Sequence, residues 1–183
     1  MGSRRMLARN ALVRRLPVVE SLGSVDTIVT DKTGTLTESR MTVSRLYTDG
    51  RIYGVTGTGT GTEGGFRLDG EPVDPAPIEP LLRCGAVCND AELAPPSAEE
   101  GPSGDPTEVA LLVSAAKAGI EPDCGRVREI PFSSERKRMT VLVERGGETT
   151  AYTKGAPAVV LERCDRVLDG GEVRPLSADG REA

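Results

Sequence analysis

Two-residue glycine turns, each set between short β-branched or apolar runs, constrain this chain more than any other feature. "MTVSRLY" and "RIYGV" are joined by Asp49-Gly50. A type I′ turn needs left-handed backbone at both central residues, which Asp-Gly adopts at low cost, so the segment predicts an antiparallel hairpin. Strands are also expected over "VREIPF", "RMTVLVE" and "TTAYT", the last two joined by Gly146-Gly147, with a closing hairpin about Gly170-Gly171. Helices are fewer. One covers residues 78–88. Another opens after Asp105, with Pro106 in its first turn, Glu108 at capping-box spacing and Gly119 placed to stop it. A short one lies near 156–164. Residues 56–77, rich in Gly, Pro and Thr, read as a long loop or irregular hairpin, and 94–104 as a second loop. From Met41 onward the fold class is therefore α+β, an antiparallel sheet flanked by helices.

The first 40 residues follow another pattern. Residues 3–16 read as a basic helix that Pro17 ends, and residues 25–30 as a short, buried, β-branched strand. One strand and the loop after it make the opening of a parallel α/β unit, without the second strand and crossover helix that would complete it. The expected organisation is an incomplete domain over 1–40 and a second domain over 41–183, together a piece of a larger chain.

Composition narrows the chemistry. The chain has no histidine, which excludes histidine acid–base catalysis. Its four cysteines, Cys84, Cys88, Cys124 and Cys164, form no CxxC pair, so reduced thiols are expected rather than a zinc site. Acids outnumber bases 28 to 23, which argues against a nucleic-acid surface. The apolar run "VALLVSAA" falls far short of the roughly 20 residues that span a bilayer. With two Phe, three Tyr and no Trp, the core must be built from aliphatic side chains. A turn-like "GTGTEG" at 59–64 matches a dinucleotide-binding pattern but lacks its strand–turn–helix context.

The loop "TDKTGTLTESRMTV" directly follows the apolar "VDTIV". Open α/β sheets place ligand chemistry at the carboxyl ends of strands, where Asp31 stands. A carboxylate needs no base to attack a phosphoryl group and become an acyl phosphate. The approach of two anions requires positive charge nearby, from Lys32, loop amides and a bound cation. Read in isolation, Asp-Lys-Thr is equally a strand-end turn with a capping Asp.

"DKTGTLT" resembles the phosphorylation signature of P-type ATPases. "RNALVRRLPVVESLG" resembles that family's link from the fourth membrane helix to the phosphorylation domain, and "FSSERKRMTVLV" and "YTKGAP" its nucleotide-binding domain. The similarity covers nearly the whole chain in the family's order and is greatest to the calcium-pump-like, type II branch. It implies that residues 1–40 begin a truncated haloacid-dehalogenase-like α/β domain and that 41–183 form the nucleotide-binding domain. By the same resemblance Asp31 is the phosphorylated nucleophile, Lys32 assists it, and Asp31 and Thr33 hold magnesium. Phe132, otherwise readable as a core residue at a strand end, is implied to stack on adenine. Lys137 is implied to face phosphate, Met139 to touch the adenine and Lys154 to sit deep in the pocket. Gly155 would let the backbone approach the ligand closely. Asp105 and Glu108 are expected both to cap their helix and to lie near the nucleotide.

The resemblance further implies ATP and Mg2+ as ligands, a transported cation, and partners within the same chain: the rest of the phosphorylation domain, an actuator domain and membrane helices. The location would be the cytoplasmic face of the cell membrane. "TGD" and "GDGxND" motifs are missing, so the chain itself is expected to bind ATP weakly without turnover. The alternatives are a haloacid-dehalogenase-type phosphatase, against which Thr33 stands where a second acid is usual, and a non-catalytic nucleotide-binding module.

Overall fold

The computed structural model describes residues 6–10, 17, 23–31, 37, 40–94, 101–122 and 125–182. The chain divides into two compact units, Met1–Ser39 and Arg40–Ala183. In the first, Met6 and Leu7 are helical and residues 8–10 form a turn, with Asn10 at φ 60°, while Pro17, expected to end the basic helix, is itself helical; the rest of that expected helix lies outside the described residues. The expected buried strand over 25–30 is not formed. Those residues carry no ladder, and Ile28 and Val29 are exposed at 82% and 94%. A strand buried on both faces exists only when neighbouring strands and covering helices supply its partners. Local β-propensity alone does not create it.

The second unit is built from hairpins and two main helices. Strands β1 (Arg45–Thr48), β2 (Arg51–Val55), β3 (Phe66–Leu68) and β4 (Glu71–Val73) form an antiparallel meander. Its first turn is the expected one, with Asp49 at φ 56° and Gly50 at φ 67°. Asp69-Gly70 makes a second turn of the same kind inside the stretch expected to be irregular. Helix α1 (Glu79–Val87) follows a single 3-10 turn, and α2 (Pro106–Ala116) follows its Asp105 cap. Then β5 (Arg126–Ser133), β6 (Arg138–Arg145) and β7 (Glu148–Gly155) form a three-stranded antiparallel sheet in chain order. A short α3 (Pro157–Leu161), the hairpin β8 (Arg166–Asp169) and β9 (Glu172–Pro175), and a last turn α4 (Asp179–Glu182) complete it. The antiparallel α+β class is as expected, but the strands are shared among three sheets rather than one.

Two cores lie on either side of α1. Tyr53 and Phe66 from the meander pack with Ile78, Leu82, Ala86, Val109, Leu112 and Val113. On its other side α1 sets Val87 and Cys88 against Met139, Val141 and Val143. Strand β6 alternates buried and half-buried residues with the period of two that one covered face demands. Each such fully buried aliphatic side chain contributes about 1.5–3 kcal/mol.

Candidate nucleotide site

Lys154 on β7 is paired directly with Met139 on β6, so both side chains project to the face covered by α1. Met139 goes into the core and is 1% exposed. Lys154 stands at the core's polar end. Its Nζ lies 2.6 Å from Glu108 Oε1, with the two side chains 23% and 18% exposed. Glu108 reaches this place because Asp105 starts α2 there. Asp105 Oδ1 accepts from the Thr107 amide at 2.8 Å and the Glu108 amide at 3.4 Å. Hydrogen bonds from Thr107, side chain first and amide second, hold the Asp105 carboxyl below its ordinary range. Thus Asp105 caps, as expected, while Glu108 turns inward to the lysine.

Phe132 occupies an irregular part of the edge strand β5. The register passes from Ile130 opposite Thr140 to Ser133 opposite Arg138, which leaves Pro131 and Phe132 against Met139 alone. Pro131 cannot donate to a ladder and is tolerated at such an edge. The bulge turns the ring outward, 60% exposed, whereas Tyr53 and Phe66 are 2% and 3% exposed. The turn that follows is braced from beneath. Ser133 O accepts the Lys137 amide at 2.7 Å, Ser133 Oγ accepts the Arg136 amide at 3.2 Å, and Arg136 Nη1 donates to Pro131 O at 3.1 Å. Lys137, at φ 51°, closes this turn with its side chain exposed.

Two expected contacts take other parts. Met139 is a core side chain, because its register opposite Lys154 points it at Cys88. The Cys88 thiol donates to Met139 O at 3.5 Å. Gly155 faces its own chain rather than open space. A Cβ there would lie 2.4 Å from Lys137 O and 2.5 Å from Arg138 Cβ, and Ala156 N donates to Lys137 O at 2.9 Å. Its missing side chain lets β7 close on the Lys137 turn.

Two thiols, Cys84 and Cys88, lie beneath the site. Burial first, and the neighbouring Cys88 second, push the Cys84 thiol up to about 11, and burial raises Cys88 as well. Both stay protonated donors at neutral pH, Cys84 to Thr153 O at 3.6 Å. A cleft of about 1070 Å³ opens beside Lys154 and Gly155, walled by β1, α1, α3 and the β8–β9 hairpin. Phe132, Lys137 and Glu108 are not among its walls.

In the first unit Asp31 is exposed, and the Thr30 hydroxyl donates to its carbonyl at 3.2 Å. Lys32 and Thr33 lie outside the described residues. Sequence reasoning does not single out Asn89, Asp90 or Arg126, although all three grip Glu108 or the loop behind it. The available signal is a polar Asn-Asp pair directly after the apolar helix end "AVC".

The sheet, its exposed ring and its lysine fall in the segment matched by a family profile described as P-type ATPase, cytoplasmic domain N, over residues 77–183, more than half of the chain. The chain belongs to the P-type ATPases. Across 94% of its length it is 41% identical to the cation-transporting ATPase pma1 of Synechocystis. It is 37% identical over 97% of its length to a calcium-transporting ATPase of Bacillus subtilis, and 36% identical over all of it to the calcium-transporting ATPase type 2C member 1 of Pongo abelii. These relatives carry the names of cation- and calcium-transporting ATPases. The chain spans about a fifth of the length of each of the three. Among the described residues no helix is long and apolar enough to cross a membrane.

Proposed function

We propose that residues 40–183 bind an adenine nucleotide for a cation-transporting P-type ATPase at the cytoplasmic face of its membrane. The observation that carries the reading is Lys154: a half-shielded ammonium, oriented by Glu108, on the same sheet as a ring turned out to solvent. The exposed face of Phe132 suits stacking on a base, a contact worth about 1–3 kcal/mol. Lys154 offers directed charge at the polar end of the core, and exposed Lys137 offers mobile charge for phosphate. Asp105 and Gly155 shape the site from behind, and Met139 supports its floor.

In the intact protein the Asp31 carboxylate oxygen attacks the γ-phosphorus of ATP. The bond to the bridging oxygen breaks, ADP leaves, and an acyl phosphate forms. Lys32 balances the charge of that approach. Asp31 and Thr33 offer the hard oxygen donors that magnesium takes, and the ion neutralises phosphate charge when bound. Cation movement belongs to parts of the pump beyond this chain, with which the phosphorylated loop must communicate. On this reading the chain by itself binds nucleotide without turning it over. The match to a pump's domain N favours this reading over a free-standing phosphatase.

Titration of the chain with ATP, followed by amide chemical shifts, tests the proposal. Shifts should gather at Phe132, Lys137 and Lys154. Phe132→Ala should weaken binding roughly 5- to 150-fold while leaving the fold intact. Full affinity in that variant removes the stacking assignment. Acid-stable, hydroxylamine-sensitive label from γ-labelled ATP reports whether Asp31 still accepts phosphate. Steady phosphate release by the chain contradicts the absence of turnover.

A further inference from the structure

We infer that Arg126 and Asn89 are positioning residues that hold Glu108 in line with Lys154, an inference that rests on the nucleotide reading only for its functional consequence. Asn89 follows the end of α1 and is 6% exposed. Its Nδ2 donates to Gly85 O and to Glu108 O, each at 2.9 Å, and its Oδ1 accepts the Ala91 amide at 2.9 Å. One side chain thereby fastens the last turn of α1, the loop after it and the first turn of α2. Only an amide can do this, since two of the bonds need a donor and the third an acceptor.

Arg126 grips the same loop from the opposite side. It is the first residue of β5, the strand that also carries Phe132. Its Nη2 donates to Val87 O at 3.0 Å and Asn89 O at 2.6 Å. Its Nη1 lies 3.1 Å from both Asp90 Oδ1 and Glu129 Oε2. The loop it secures returns the hold to Glu108, because the Asp90 amide donates to Glu108 Oε2 at 3.3 Å. Glu108 is thus held at its carbonyl by Asn89 and at one carboxylate oxygen by Asp90. Its other oxygen is left for Lys154 at 2.6 Å. The planar guanidinium addresses two carbonyls and two carboxylates at once, which an ammonium cannot reproduce. The clamp joins the strand of the stacking ring to the helix of the lysine's partner. A half-exposed Lys154 would otherwise sample many rotamers.

The test compares wild type with Arg126→Gln and Asn89→Asp, the second an isostere that turns a donor into an acceptor facing two carbonyls. The first readout needs no nucleotide. Trace acetylation is quantified at Lys154 relative to exposed Lys137. Loss of the clamp should raise the Lys154 rate at least about threefold with Lys137 unchanged. An unchanged ratio, or equal acceleration at both lysines from a looser fold, overturns the proposal. The second readout is a double-mutant cycle on ATP affinity. Arg126→Gln should weaken binding about tenfold in the wild-type background and leave it unaltered in Lys154→Ala. Additive losses overturn the proposal. Should the wild-type chain bind no nucleotide, the functional reading falls, and the labelling ratio still decides the clamp.

Discussion

Replacing Gly155 by alanine separates a glycine that admits a ligand from one that admits its own backbone. The added Cβ would stand 2.4 Å from Lys137 O, 2.5 Å from Arg138 Cβ and 2.7 Å from Arg138 Cα. Carbon contacts are comfortable at about 3.5–4.0 Å, so the ends of β6 and β7 must part by roughly 1 Å. None of the three atoms is the tip of a flexible side chain that could swing away. Overpacking of this kind costs about 1–3 kcal/mol. The parting also strains the 2.9 Å bond from Ala156 N to Lys137 O, worth about another 1 kcal/mol. The expected loss is about 2–4 kcal/mol, or roughly 5–15 °C in midpoint for a chain of this size. Gly65→Ala is the control, because a Cβ at that position would meet nothing within 4 Å and its φ is not in the left-handed range. That variant should stay within about 1 kcal/mol of wild type or gain slightly. Urea unfolding of the three proteins measures both. Equal midpoints for Gly155→Ala and Gly65→Ala would refute the argument. A Gly155→Ala protein of full stability that binds ATP poorly would restore the glycine to the ligand side.

Other consequences follow from burial and capping. Met139→Ala should lower stability by about 2–5 kcal/mol, as large-to-small changes do at a fully covered position, and calorimetry checks it. Asp105→Ala should cost about 0.5–2 kcal/mol through loss of two amide bonds at the start of α2. Because the folded Asp105 carboxyl is held below its ordinary value of 3.8, its contribution is present above that pH and disappears as pH falls below it. In the Asp105→Asn variant the acid limb of the stability curve should flatten. Cys84 acts in the opposite sense. Its folded value of about 11 lies above the ordinary 9.0, so the fold favours the protonated thiol. Its contribution to stability should be constant below about pH 9 and fall as pH rises from there to about 11, and the alkaline slope should be lost in Cys84→Ala. The same protonation predicts slow alkylation of Cys84 at about pH 8 beside a free small thiol.

The legible parts of this protein are those whose cause lies within a few residues. Asp49-Gly50, Gly146-Gly147 and Gly170-Gly171 are readable because a turn's backbone angles select its residues, and all six residues take positive φ. Asp105, Pro106 and Glu108 mark the beginning of α2 by the same local logic. Asp69-Gly70 is harder to see because the surrounding Gly and Thr conceal two three-residue strands. The apolar stretch at 25–30 misleads in the reverse sense. Its residues prefer a strand, yet a ladder requires a partner, and among the described residues none pairs with it.

The candidate site is legible as motifs and not as an arrangement. "FSSERKRM" and "YTKGAP" identify the strands that bear Phe132 and Lys154, and both lie within the segment that the family profile matches. Nothing local aligns Glu108 with Lys154, 46 residues apart, or Arg126 with Asn89, 37 residues apart. Strand register decides that Met139 faces the core, and the closing of β7 on the Lys137 turn decides what Gly155 is for. By itself the sequence determined turns, caps and helix starts, because backbone sterics and single hydrogen bonds act over three or four residues. Tertiary structure alone decided which charges meet and which side chains are covered, because those depend on packing between elements distant in the chain.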